Sequence, residues 1–316
     1  MYQSRLHRRL RFPYYLMAPD YQEASSGVQC VHYLCHALNL EGADAYLVGA
    51  KVLNPALKTP VLTDEMIARH VAEGRPGIAI YPEIVQGSPI PAAVAVRYML
   101  NREGVIGGKP MDPGPDDLYI YHRREFMDPE RPGQLLTVPM VDPERFSPQP
   151  EVERTLDLLY LNRVPASEVD FSRLPPGIVV LSPENRLGLD ELADVLRQAR
   201  VLYTYESSTT CRLAIMCGCP VVPLVAPGYE NLAVTPQTVA DLGGGGFAWD
   251  DSQESLELAR SQCGRIRELV VKIEDRFWKQ LHKFIETTQE AVRARQPVAA
   301  APGGLRGWLE ARTPLP

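Results

Sequence analysis

The sequence predicts an α/β protein made of two doubly wound parallel sheets. Strand-like runs rich in Val, Ile, Leu and Tyr alternate with amphipathic helix-like runs, the connections are short, and a proline-crowded passage at 127–152 interrupts the alternation once. Strands joined through helices pair in parallel with right-handed crossovers. The interruption separates two such runs, as a domain crossing does.

The first run opens with "PYYLMAP" (13–19), a strand. "SSGVQCVHYLCHALNLEGA" (25–43) follows as a helix, with a hydroxyl cap, with Val28, Val31, Leu34, Cys35 and Leu38 on one face, and with Gly42 near its end. "DAYLVGA" (44–50) is a second strand, and "TDEMIARHVAEG" (63–74) is a helix with a Thr cap, acids in its first turn and a closing glycine. "GIAIYPEIV" (77–85) reads as a buried strand, "PAAVAVRYMLNREG" (91–104) as a helix, and "DLYIYHRREF" (117–126) as a strand. Beyond the prolines, "LDLLYLNRV" (156–164) and "GIVVLSPE" (177–184) are strands and "LDELADVLRQA" (189–199) is a helix. "VLYTYESSTTCRLAIMCGCPVVPL" (201–224) passes from strand to helix to strand. One long helix is expected over 253–293, anchored by Phe277 and Trp278. The domains then fall at 1–140, together with the crossing part of that helix (about 270–293), and at 141–269. The Pro-, Gly- and Ala-rich 294–316 reads as a tail.

A chain of 316 residues suffices for two ordinary domains, and 45% hydrophobic with 23% charged residues is a soluble globular balance. The net charge of −6 argues against bulk nucleic-acid binding. No apolar run reaches the roughly 18–20 residues of a membrane span. The basic start "MYQSRLHRRLRF" leads into no apolar core, so a cytoplasmic location is expected, with that start able to touch an anionic membrane face. Cysteines at 30, 35, 211, 217, 219 and 263 lack zinc-finger spacing and read as reduced thiols. His32 and His36 stand four apart, but no accompanying glutamate completes a metal pair. No metal and no other cofactor is expected.

In a doubly wound sheet, ligands bind at the carboxyl ends of the strands, where helix N-termini direct unpaired N–H groups outward. A first helical turn leaves about four amides unpaired and carries roughly half a positive charge. Ser207, Ser208, Thr209 and Thr210 stand on such a turn directly after a strand, and with its amides they can grip a phosphate. Glu206 before them is placed to accept hydrogen bonds from vicinal hydroxyls of a ribose or sugar. A plain capping role for Ser207 and a solvated Glu206 fit the same letters. No glycine-rich P-loop with lysine and no GxGxxG follows a strand, so neither nucleotide fingerprint applies.

"YESSTTCRLAIMCGCPVV" resembles the C-terminal-domain signature of GT-B glycosyltransferases of the large group 1 family. "VPMVDPERFSP" (138–148) resembles the crossing between that family's two Rossmann-like domains, and "YQEASSGVQCVHYLCHAL" (21–38) its opening helix. "IYPEIVQGSPIPAAVAVRYMLNREGVIGG" (80–108) is similar to a segment of bacterial surface-polysaccharide glycosyltransferases. The resemblance implies two Rossmann-like domains facing each other across a cleft, with the C-terminal helix crossing back to the first. It also implies metal-independent transfer of a sugar from a nucleotide-diphosphate sugar to a glycan or lipid-linked acceptor in surface polysaccharide synthesis.

The donor site it implies comprises Arg163 on the diphosphate, Glu184, Asn185 and Arg186 of "SPENRL" against the base, and Tyr205, Glu206, Ser207, Ser208, Thr209 and Thr210. On the acceptor side stand Ser26 and Gly27 at a helix start, Arg97 and Asn101 on one helical face with Tyr98, and Glu83 as a candidate general base. One departure matters. Retaining members carry a second carboxylate five residues before the helix-ending glycine, and here Leu213 occupies that position. Two other readings therefore stay open, a sugar-nucleotide epimerase of the same fold and a non-catalytic protein that kept it.

Overall fold

The structure is a computed structural model that describes residues 11–23, 25–106 and 108–295. The expectations for the basic start and for nearly all of the 294–316 tail lie outside these residues. The chain forms two compact units, one from Met1–Val138 with Asp275–Pro316, the other from Pro139–Glu274.

The first unit contains β1 (Tyr14–Met17), α1 (Ser26–Leu40), β2 (Ala45–Val48), α2 (Asp64–Ala72), β3 (Ile78–Pro82), β4 (Val94–Met99), β5 (Leu118–Tyr121) and β6 (Gly133–Leu135). Its six strands are parallel, in the order β2-β1-β3-β4-β5-β6. The second unit contains β7 (Leu156–Tyr160), β8 (Val179–Leu181), α3 (Leu189–Gln198), β9 (Ala199–Thr204), α4 (Thr209–Met216), β10 (Val221–Pro223), α5 (Pro236–Asp241) and α6 (Gln253–Gln262). Its sheet is parallel too, in the order β10-β9-β7-β8. The last helix, α7 (Gly264–Ala294), contributes to both units, passing from the second to the first between Glu274 and Asp275.

All four residues of β1 are buried, as a central parallel strand covered on both faces requires. Its side chains alternate between the faces. Tyr14 meets Phe284 of α7 and places its hydroxyl 2.9 Å from that of Thr288. Tyr15 meets α2, its hydroxyl 2.9 Å from His70 Nδ1. The Gln289 side chain of α7 joins the start of β1 like a further strand. It accepts from Phe12 N at 3.1 Å and donates to Phe12 O at 2.8 Å. Phe277 is buried against Tyr33 of α1, which fixes the same helix from a second side.

Three expectations are corrected. Residues 91–104 form no helix, because Val94–Met99 pairs between β3 and β5 as β4. Val94, Val96 and Tyr98 recur at strand spacing, and sheet pairing overrides the helical leaning of the alanines. The helix expected over 253–293 is two, α6 and α7, parted at Cys263, with Gly264, a residue that weakens helix continuation, as the first of α7. The proline-rich passage contains β6. Gly133 is required there, since a Cβ would lie 2.3 Å from the carbonyl oxygen of Tyr119.

Among the described residues, the connections after β3, β4 and β5 contain no α-helix. Arg97, fully buried in β4, holds the first of them from inside. Its Nε donates to Asp117 at 2.6 Å, and its Nη atoms donate to Val85 O (3.2 Å), Gly87 O (2.8 Å) and Ser88 Oγ (3.0 Å). The guanidinium also lies 5.0 Å from the Tyr81 ring centroid. Arg97→Met strands a nearly buried carboxylate and three acceptors. It should cost about 3–5 kcal/mol, read as a lower urea midpoint.

Burial holds the pKa of His32, His36 and His70 below the ordinary histidine value. Below about pH 6.5 the unfolded chain therefore binds more protons than the native one. Their contribution to stability is complete above that pH and is lost as acid carries the protein through the lowered folded-state values. Unfolding midpoints measured from about pH 7.5 down to pH 5 should fall, and His70→Gln should make the fall shallower.

Candidate functional site

Ligands of doubly wound sheets sit where the strand order reverses, outside the carboxyl ends of the two strands involved. In the second unit β7 leads to β8 on one side, and α3 then carries the chain back across to β9 on the other. The reversal lies between β7 and β9. Arg163 follows the first of these strands and Glu206 the second, and the two are joined. Glu206 Oε1 accepts from Asn162 N at 2.7 Å and Arg163 N at 2.9 Å, while Oε2 accepts from Arg163 Nη1 at 3.1 Å. The Glu206 side chain is 0% exposed and that of Arg163 28%.

α4 starts beside this pair. Ser208 is its N-cap, yet the Ser208 side chain makes no capping bond. The N–H groups that open any helix have no backbone partner within it. Ser207 N donates to Leu232 O at 2.7 Å, and Ser208 Oγ lies 3.6 Å from the Cys211 thiol. Thr210 shares a hydrogen bond with the Tyr160 phenol, whose pKa is pushed up by burial. At the far end Gly218 takes the left-handed conformation that favours glycine, with φ 77°. Bonds from Gly218 N to Ile215 O (3.0 Å) and Cys219 N to Ala214 O (2.9 Å) close the helix and turn the chain into β10. Arg154 covers that end, donating to Ala199 O at 2.7 Å and to Cys217 O at 2.6 Å.

Of the three residues expected against a base, Glu184 and Arg186 are exposed in the turn after β8. Asn185 closes that turn: its Oδ1 accepts from Ser182 N at 2.7 Å and its Nδ2 donates to Val180 O at 2.6 Å. Tyr205 is nearly buried, which raises the pKa of its phenol. Leu213, at the position where the resembled family carries a second carboxylate, packs in the core of the second unit. Glu206 was expected to receive substrate hydroxyls and is instead enclosed, with both oxygens engaged by the exit of β7.

In the first unit the reversal lies between β1 and β3. Ser26 and Gly27 begin α1 after β1, behind the N-cap Ser25, whose Oγ accepts from Val28 N. Glu83 follows β3 directly and is buried, its Oε2 accepting from Leu100 N at 3.1 Å. Leu100 also approaches Gly27, where a Cβ would be 3.7 Å from its Cδ1. Gly27, Glu83 and Leu100 are therefore neighbours. Arg97 and Asn101 share no helical face: Arg97 is interior, and Asn101 follows β4, its Oδ1 accepting from Arg102 N at 2.8 Å. Sequence reasoning missed Asp20, which follows β1 and accepts from Val52 N at 2.9 Å beyond the end of β2. An acid just after a strand was the available signal. It also missed the buried group of Cys30, Tyr98 and His122, in which His122 Nδ1 lies 3.5 Å from the thiol and 3.4 Å from the phenol.

Among the described residues, no group of three or more His, Cys, Asp or Glu is arranged to hold a metal, and no helix is long and apolar enough to cross a membrane. No family model matches the sequence, and no curated protein matches it. Among solved structures the chain is similar to the glycosyltransferase SnogD from Streptomyces nogalater, at 15% identity over 88% of this chain and 99% of that one, TM-score 0.40. It is similar also to a mutant O-GlcNAc transferase of Thermobaculum terrenum, at 15% identity over 90% and 69%, TM-score 0.49. WaaG, a glycosyltransferase involved in lipopolysaccharide biosynthesis, aligns at 12% identity over 89% and 100%, TM-score 0.44.

Glu206→Ala leaves two amides and a guanidinium without their acceptor and opens a cavity. It should lower stability by about 2–4 kcal/mol in urea unfolding, with Glu206→Gln costing less.

Proposed function

We propose that the protein is a GT-B-type glycosyltransferase whose donor, a nucleotide-diphosphate sugar, places its pyrophosphate at the carboxyl edge between β7 and β9. The observation that carries this reading is a partly exposed arginine held beside the N-terminus of α4, whose N-cap side chain makes no capping bond. As the sugar leaves, negative charge grows on the departing nucleoside diphosphate. Positive dipoles and a guanidinium already fixed at that point lower the barrier without reorganising. Arg163 offers a fork to the phosphates, and the first-turn amides of α4 with the hydroxyls of Ser207, Ser208 and Thr209 offer further donors. With these groups neutralising the leaving group, the reaction needs no metal. Glu184 and Arg186, exposed after β8, are the residues we assign to the base. Ser26 and Gly27, at the strand ends of the first unit, belong to the acceptor side, where a glycan or lipid-linked acceptor of a surface polysaccharide would be received at the cytoplasmic membrane face.

One observation favours a second reading. Glu206 is enclosed and Leu213 is in the core, so neither position offers the donor sugar a carboxylate. A protein that binds a nucleotide without transferring sugar fits that arrangement. The test is a melting series with UDP, GDP and dTDP, followed by incubation with the matching nucleotide sugars. Ligand at about 100 times its Kd should stabilise the fold by about 2.7 kcal/mol, and Arg163→Ala should weaken binding about 10- to 100-fold. Stabilisation with consumption of a nucleotide sugar supports the transferase, and stabilisation without it supports the binding protein. No stabilisation by any of the three overturns both.

A further inference from the structure

Resting on the donor-site reading above, we infer that Glu206 is a positioning residue: it holds Arg163 in register with the first turn of α4 and does not itself touch the donor. A carboxylate offers about four acceptor sites. Three are filled, by Asn162 N, Arg163 N and Arg163 Nη1, and none of the side chain is open to solvent. A ribose or sugar hydroxyl has no surface of Glu206 to reach.

The backbone of Glu206 is fixed as firmly as its side chain. Its N–H donates to Thr204 Oγ1 at 3.2 Å, and its carbonyl accepts from Thr204 Oγ1 at 3.0 Å and from the Cys211 thiol at 3.6 Å. One residue thus joins the end of β9, the first turns of α4 and the exit of β7. Glu206 links the Arg163 guanidinium, through its side chain, to α4, through its carbonyl. Arg163 spends one Nη1 bond on this carboxylate, and its fork has five N–H donors in all. A pyrophosphate therefore meets a cation already oriented, with part of its surface exposed.

Inorganic pyrophosphate is the probe, titrated calorimetrically into the full chain. Four proteins are compared: wild type, Glu206→Asp, Arg163→Gln and the double variant. Glu206→Asp keeps the charge and shortens the reach by one methylene, so any loss comes from geometry. Pyrophosphate should bind about five- to tenfold more weakly to Glu206→Asp when Arg163 is present, and less than twofold more weakly in the Arg163→Gln background. Equal losses in both backgrounds, no loss in either, or no binding of pyrophosphate to the wild type overturns the inference. Should Glu206→Asp show no cooperative melting, Glu206→Gln replaces it. That variant retains an acceptor for the two amides, and the contribution of Arg163 to pyrophosphate affinity should then fall at least fivefold; an unchanged contribution overturns the inference. Turnover separates the two ideas. The expected coupling without consumption of any nucleotide sugar removes the transferase reading alone, and consumption with equal losses removes the positioning role alone.

Discussion

The fold depends at its functional edge on a side-chain carboxylate that follows one strand and binds backbone N–H groups just past the end of the neighbouring strand. Asp20 does this between β1 and β2, Glu83 between β3 and β4, and Glu206 between β9 and β7. At the carboxyl end of a parallel sheet the ladder stops and each exiting amide needs a new acceptor. Water would serve at the surface, as it can at the exposed Asp20, but the exits held by Glu83 and Glu206 are partly buried, where an unpaired amide is costly. A short acidic side chain supplies the acceptor and fixes the direction in which the loop departs. Loop geometry at the edge where doubly wound sheets bind ligands is thereby set by the sheet itself.

Arginines organise what the carboxylates do not. Arg97 takes over, for the connection after β3, the support that a crossover helix would give, by gathering two carbonyls, a hydroxyl and Asp117 around one buried guanidinium. Arg154 collects the carbonyls at the C-terminal end of α4 and just past that of α3, where the helix dipoles are negative. The second unit is polarised as a result. α4 has its negative end satisfied by the half-buried Arg154 guanidinium, and at its positive end, beside Arg163, the side chain of the N-cap Ser208 makes no capping bond.

Local pattern made much of this legible. The order strand, hydroxyl cluster, helix, glycine, strand across 201–224 is what the structure shows from β9 to β10, because capping, periodicity and the left-handed glycine are near-neighbour effects. Glu206 and Arg163 were singled out individually, but their union was not. They lie 43 residues apart in sequence, and nothing in either segment names the other. Arg97 misled for a related reason: an arginine in an alanine-containing run suggests a solvated helix, and only the burial of Asp117 beside it reverses that. At three residues beside a proline, β6 is too short to show a period.

α7 completes the first unit after the whole of the second has been made. Tyr14, the Phe12 backbone and Tyr33 find Thr288, Gln289 and Phe277 only when those residues emerge. Between Val138 and Asp275 lie the 136 residues of Pro139–Glu274, on the order of ten seconds of ribosomal elongation. Throughout that interval the nascent amino-terminal half carries an uncovered aromatic face. The first unit is closed last, while Pro139–Glu274 is available to fold as it leaves the ribosome.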